Sequence, residues 1–207
     1  MAYTDEEILQ QRAAVKEMEQ QRFSQETIEE NEQSIFDGKI LINKVPVTFA
    51  ERTLMDGKIA IWLPEDYEEL STEAIELLYP LGNKPDFVLG NTYLSLSVGF
   101  RYMEQEIPDE HIKEFIEVVK LILDRVGPKN QILSENVCTV GRHTVSSLDF
   151  CTNTLTGDNI YNKMFFSSLE GRVLMGFMNF SYTHLDRYKK IVEEIMQSFR
   201  FVEDGEV

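Results

Sequence analysis

The sequence predicts an α+β fold: an antiparallel β-sheet sandwiched by amphipathic helices, with an N-terminal helical extension. Three observations predict it. Short runs of β-branched and apolar residues follow one another, separated by turn signals such as MDGK, TGDN and LEGR. Residues 109 to 126 and 183 to 199 carry apolar residues at three- and four-residue spacing, as amphipathic helices do. The strands come in blocks and do not alternate one for one with helices, which argues against a doubly wound parallel sheet.

Domains commonly run to about 100–200 residues. The 207 residues are therefore expected to divide into an acidic helical arm, residues 1–36, and one α+β sandwich domain, residues 37–207. A hydrophobic content of 43% is enough for a real core. The 36 acidic and 20 basic residues leave a net charge of -16. That field repels phosphate backbones and anionic lipid heads, so neither nucleic acid nor a membrane surface is the expected partner; a basic protein is. No stretch approaches the roughly 20 apolar residues of a membrane helix. The start, MAYTDEEILQQ, lacks the basic and apolar blocks of a secretory signal, so the cytoplasm is the expected compartment. Cys138 and Cys151 fall in predicted strands and are expected to be reduced, structural thiols.

In the arm, Thr4 followed by Glu7 fits a capping box, and glutamine and glutamate favour helix. Ile8, Leu9, Val15, Met18, Phe23 and Ile28 make only a thin, irregular stripe. Such a helix either packs one edge on its own body or pairs with a partner or a second copy. Ile8, Val15 and Met18 are its candidate partner contacts.

KILINK, VTFAER and KIAIWLP read as strands, and the Asp-Gly of MDGK joins the last two as a hairpin. Ser71 caps a short helix through Leu78, with Ala74, Leu77 and Leu78 facing inward. The stretch YPLGNKPDFVLGN then stops that helix. Pro80 and Pro85 bias Tyr79 and Lys84 away from helical geometry, Gly82-Asn83 turns, and Tyr79 and Phe87 pin the connection to the core. In NTYLSLSVGF, Leu94, Leu96, Val98 and Phe100 alternate with small or polar residues, predicting a strand with one buried face.

Asp109 caps the first long helix, whose stripe is Ile112, Phe115, Ile116, Val119, Ile122, Leu123 and Val126. Strands follow at about 131–140, 142–153, 160–169 and 172–182. Thr183 with Asp186 opens the last helix as a capping box, with Tyr188, Ile191, Val192, Ile195, Met196 and Phe199 as its buried stripe.

A short helix ending in YP, a turn, KPDFVLGN and an alternating strand resemble proteins of the PsbP-like fold group, which includes bacterial DcrB-type proteins. So does the closing KMFFSSLEGRVLMGFMNFSYTHLDRYKKIVEEIMQSFRF. The resemblance covers residues 37 to 202. It implies an α/β/α sandwich around an antiparallel sheet and a function in binding other proteins. It supplies no motif from which a binding residue transfers.

The residues predict no catalytic, metal or cofactor site. The histidines, His111, His143 and His184, are far apart, and HExxH, CxxC and phosphate-loop motifs do not occur. Two interaction sites are the sequence's candidates. One is a polar sheet face of His143, Ser147 and Asp149 alongside Asn162 and Asn179. The other comprises aromatic anchors, Trp62, Tyr93 and Tyr102. The expected function is non-enzymatic protein binding, as adaptor, chaperone or immunity protein. The alternatives are a small-molecule or atypical enzymatic domain, and a structural homo-oligomer built through the arm.

Overall fold

In the computed structural model, the structure describes residues 32–79, 84–92, 94–126, 130–153, 157 and 159–202. Residues 1–31, which hold most of the expected arm with Ile8, Val15 and Met18, lie outside them, as does Tyr93.

β1 (Lys39–Ile42) and β2 (Val45–Leu54) form a hairpin through Asn43 and Lys44, both at positive φ. MDGK makes the second hairpin, into β3 (Ile59–Pro64), with Met55, Asp56 and Gly57 all at positive φ. Asn, Asp and Gly tolerate that geometry; Met55 does so with some strain. With β11 (Arg200–Phe201) these strands form a four-stranded sheet, β1-β2-β3-β11. The sequence predicted one sheet; the described residues form two, because β1, β2 and β3 pair among themselves and with β11 but with no strand of the larger sheet.

The larger sheet has seven strands: β4 (Glu68–Glu69), β5 (Phe87–Gly90), β6 (Ser97–Glu106), β7 (Asn130–Val140), β8 (His143–Asn153), β9 (Asn159–Leu169) and β10 (Arg172–Ser181). Their spatial order is β4-β5-β6-β10-β9-β8-β7, and every pairing is antiparallel. Three α-helices accompany them among the described residues: α1 (Thr72–Leu78), α2 (Ile112–Val126) and α3 (Leu185–Ser198). α2 packs on one face of the larger sheet over Leu148, Phe150, Phe166, Val173 and Met175. The other face carries α3 and the small sheet, around Val98, Phe100, Phe165 and Leu174. The architecture is α+β and mostly antiparallel.

Several local expectations need correcting. β6 begins at Ser97, since the Asn91 side chain accepts the Leu94 N–H at 2.8 Å and holds a turn there; the strand then runs on to Glu106. Both its faces are buried from Ser97 to Phe100, because β6 is an inner strand and Pro85 packs against Gly99. Leu78 points outward from α1. Asp109 does not cap its own helix. Both its carboxylate oxygens accept the Thr144 N–H at 2.9 Å, and the Thr144 hydroxyl donates at 2.7 Å, fastening the start of α2 to β8. Thr183 exchanges a hydrogen bond with Ser181, and a 3-10 turn over Tyr182–His184 leads into α3, so that capping box does not form. Cys151 is buried and Cys138 is exposed, because β7 is an edge strand.

In the stretch YPLGNKPDFVLGN both aromatic anchors reach the core, while residues 80–83, with the expected turn, lie outside the described residues. The Tyr79 hydroxyl accepts from Asn179 Nδ2 at 2.9 Å while its ring meets Phe177 edge-on, and Phe87 stacks on Phe100 at 5.5 Å. At the other end of the described chain, Ile35 is fully buried and its N–H donates to the buried Glu194 of α3 at 2.9 Å.

Candidate functional site

Strand alternation sorts the predicted polar residues. Directly paired residues of an antiparallel ladder share a face. Asp149 pairs with Lys163 and Ser147 with Phe165, on the face toward α3. Asn162 pairs with Phe150 and Asn179, on the face toward α2. The five residues therefore do not form one site. Asn162 donates to the Thr152 hydroxyl at 3.1 Å, and that hydroxyl donates to Asn130 at 2.8 Å. Asn179 accepts from the Ser97 hydroxyl at 2.7 Å. His143 stands at the far end of β8, six residues from Asp149 or about 20 Å along a strand. Its ring lies 4.0 Å from that of Phe201.

Asp149 and Ser147 are buried, and the sequence missed their surroundings. Lys163 Nζ lies 2.7 Å from Asp149 Oδ1, with the two side chains only 11% and 9% exposed. The Ser134 hydroxyl donates to Asp149 Oδ2 at 2.8 Å. The Tyr161 hydroxyl is buried beside them without a partner at bonding distance. Burial, and then the nearby Asp149 charge, push its ionisation far above the usual phenol range. Both carboxylate oxygens of Asp149 are engaged, so the arrangement is a neutralised ion pair that fixes β8 against β9, not a free base. The lone charge in the apolar strand NIYNKMFFSSL was the signal for it, since a buried lysine needs a partner.

The outer surface of α2 is different. Ile112, Phe115, Ile116 and Val119 are buried, as expected. Ile122, expected inside, is 50% exposed, beside Val118 at 50% and Leu121 at 57%. Lys120 faces β7, since its Nζ meets Glu135 at 2.8 Å. At 100° per residue Val118 and Ile122 fall on the opposite flank, with Leu121 on the crest. The three stand at i, i+3 and i+4, a continuous aliphatic stripe. Apolar residues at 115, 116, 118, 119, 121, 122 and 123 are more than one buried stripe can hold, and that surplus was the sequence signal.

Trp62 is half-buried and packs edge-on against Phe36 at 5.6 Å. Tyr102 donates to the Leu169 carbonyl at 2.9 Å beneath the Arg172 guanidinium. Both hold the body together at these contacts. Among the described residues no helix is long and apolar enough to cross a membrane.

No protein-family model and no curated protein matches the sequence. Similarity is found among solved structures. The solution structure of a cyanobacterial PsbP, CyanoP from Synechocystis sp. PCC 6803, superposes with a TM-score of 0.51 at 10% identity, covering 74% of this chain and 92% of that one. LpqN, involved in cell envelope biogenesis of Mycobacterium tuberculosis, gives 0.48 at 11% identity, over 76% and 92%. PA94, a protein of unknown function from Pseudomonas aeruginosa, gives 0.44 at 10% identity, over 72% and 94%. At these identities the likeness is one of fold, and the fold is PsbP-like.

Proposed function

We propose that this chain is a non-enzymatic accessory protein that binds another protein through the outer face of α2. The exposed Val118–Leu121–Ile122 stripe carries this reading. A helix apolar on two opposite sides is normally buried on both, and the sheet covers only one. With a net charge of -16, the favoured partner presents an apolar patch with basic residues around it. Adaptor, chaperone and immunity roles each need such a contact, in the cytoplasm by the sequence expectation. The test is affinity capture from native lysate with the full chain and with Val118→Ser/Leu121→Ser, both checked by circular dichroism. A partner retained by the wild type and lost by the folded variant supports the reading. Equal retention by both overturns it.

Buried hydroxyls favour a second reading, a small-molecule site on the α3 face. Those of Tyr161 and Tyr188 reach no hydrogen-bond partner among the described residues. Native mass spectrometry of the purified protein tests this; a bare chain mass counts against it.

A further inference from the structure

The first described residues enter the fold along a seam between α3 and β1, the outer strand of the small sheet. Three rungs mark their course. Ile35 donates its N–H to Glu194 of α3 at 2.9 Å, and its carbonyl accepts the Gly38 N–H, just ahead of β1, at 3.0 Å. Two residues earlier, the Gln33 carbonyl accepts from Lys190 Nζ at 2.8 Å, and Gln33 Oε1 accepts the Leu41 N–H at 2.7 Å. The third rung joins the two walls themselves, where Arg187 of α3 donates to the side chain of Asn43 in the turn after β1. Followed toward the N-terminus, the chain passes from Glu194 to Lys190 on α3 and from Gly38 to Leu41 on the sheet side. Both walls therefore aim it at Arg187 and Asn43.

That end of the seam is cationic in an acidic protein. Segment 39–44, KILINK, has two lysines and no carboxylate, and segment 185–192, LDRYKKIV, has three cations and one carboxylate; the whole chain has 36 acidic and 20 basic residues. The nearby carboxylates are engaged or behind the chain. Asp37 accepts the Ser34 N–H at 3.2 Å, Glu194 holds Ile35, and Glu193 stands at the end the chain has left. Leu41 and Val45, each 43% exposed, add an apolar surface. The sequence that arrives there is complementary. Residues 23–31, FSQETIEEN, hold three glutamates, no cation, and the apolar Phe23 and Ile28. Glu29 and Glu30 precede Gln33 by four and three residues, a reach of at most about 10–14 Å. Arg187 lies three residues before Lys190, about 5 Å along α3.

We infer that residues 23–31 dock on this seam of their own chain, with Glu29 and Glu30 meeting Lys44 and Arg187 and Ile28 covering Leu41 and Val45. The tether at Gln33 favours this occupant, since a short link holds the segment at an effective concentration in the millimolar range. Opposite charge sets its position, and burial of Ile28 adds to its hold. α2 lies on the other face of the larger sheet, so the arm leaves the Val118–Leu121–Ile122 stripe uncovered and the inference stands apart from the α2 reading.

The test takes the full chain, couples touching lysines and carboxylates with a water-soluble carbodiimide, and separates the products on a denaturing gel. A link within one chain stays in the 24.0 kDa band; a link between chains doubles the mass. Expected in the 24.0 kDa band is a peptide joining Lys44 to Glu29 or Glu30. Beside it, chymotryptic cleavage after Phe23 is timed in the wild type, in Lys44→Glu/Arg187→Glu, and in that variant carrying Glu29→Lys/Glu30→Lys as well. Circular dichroism checks each fold. Loss of two exposed pairs should speed the cleavage by about fivefold, and the swapped charges should slow it again. No such peptide, a Lys44 link confined to the dimer band, or equal cleavage rates in the three proteins would overturn the inference.

Discussion

The far end of the Phe165 ring occupies the space beside Gly176 on the neighbouring strand: a Cβ at residue 176 would stand 2.0 Å from the ring's Cζ. The ring has nowhere to go. It is fully buried, edge-on to Phe100 at 6.0 Å and to Phe199 of the α3 end at 5.1 Å. The absence of a side chain at 176 is what lets α3 and the sheet close on one aromatic cluster.

Gly176→Ala is therefore expected to destabilise the fold by about 1–3 kcal/mol, the usual cost of overpacking a core. Urea denaturation measures it. Phe165→Leu in the Gly176→Ala background should recover part of the loss, since the shorter side chain clears the new methyl. An unchanged midpoint in Gly176→Ala would refute the close approach.

Lys163→Met leaves the Asp149 carboxylate buried beside Ser134 with its cation gone. Breaking a buried pair from one side costs about 3–5 kcal/mol. The double variant Asp149→Leu/Lys163→Met should lie much nearer the wild type, because no charge is then stranded. A double-mutant cycle in denaturant gives the coupling directly. Additive losses would show that the pair does not act as a unit.

Much of this was legible in the sequence, and the reasons differ by element. Turn chemistry located the hairpins, because Gly57 and Gly171 take the positive φ that Asp56-Gly57 and Glu170-Gly171 require at no steric cost. The stripes Ile112–Val119 and Tyr188–Phe199 marked the helices' buried sides because burial imposes the 3.6-residue period. Strand neighbours were not legible. Whether Asp149 shares a face with Asn162 or Lys163 depends on a register offset of one residue, which no local pattern states. Asp109 and Thr183 satisfied capping rules on paper, but Asp109 found a stronger demand from Thr144 across the fold. The surplus of aliphatics on α2 was visible, yet only the structure says which of them the sheet leaves uncovered.

Stability should depend on pH through the Glu51 carboxylate. Arg200 donates to Glu51 from Nε at 2.9 Å and Nη2 at 3.0 Å, tying β11 to β2. That pairing holds the Glu51 carboxyl below its ordinary range. The unfolded chain then takes up its proton at a higher pH than the native one. The contribution is present above the ordinary carboxylate range and is lost as pH falls from there through the lowered native value. Both side chains are partly exposed, so it amounts to at most about 0.5 kcal/mol. Glu51→Gln should be less stable than the wild type near neutrality and equal to it in acid; a gap that widens in acid would reverse the assignment.

The central claim is that the outer face of α2 is a binding surface. Its most direct measurement is the dissociation constant of the captured partner, by calorimetry, for the wild type and for Leu121→Ala. Leu121 sits on the crest of the stripe, where a truncated anchor commonly costs about 2 kcal/mol. The account predicts affinity weakened by about thirtyfold, with the melting temperature unchanged. Equal affinity for the two proteins would contradict it and place the contact elsewhere on the fold.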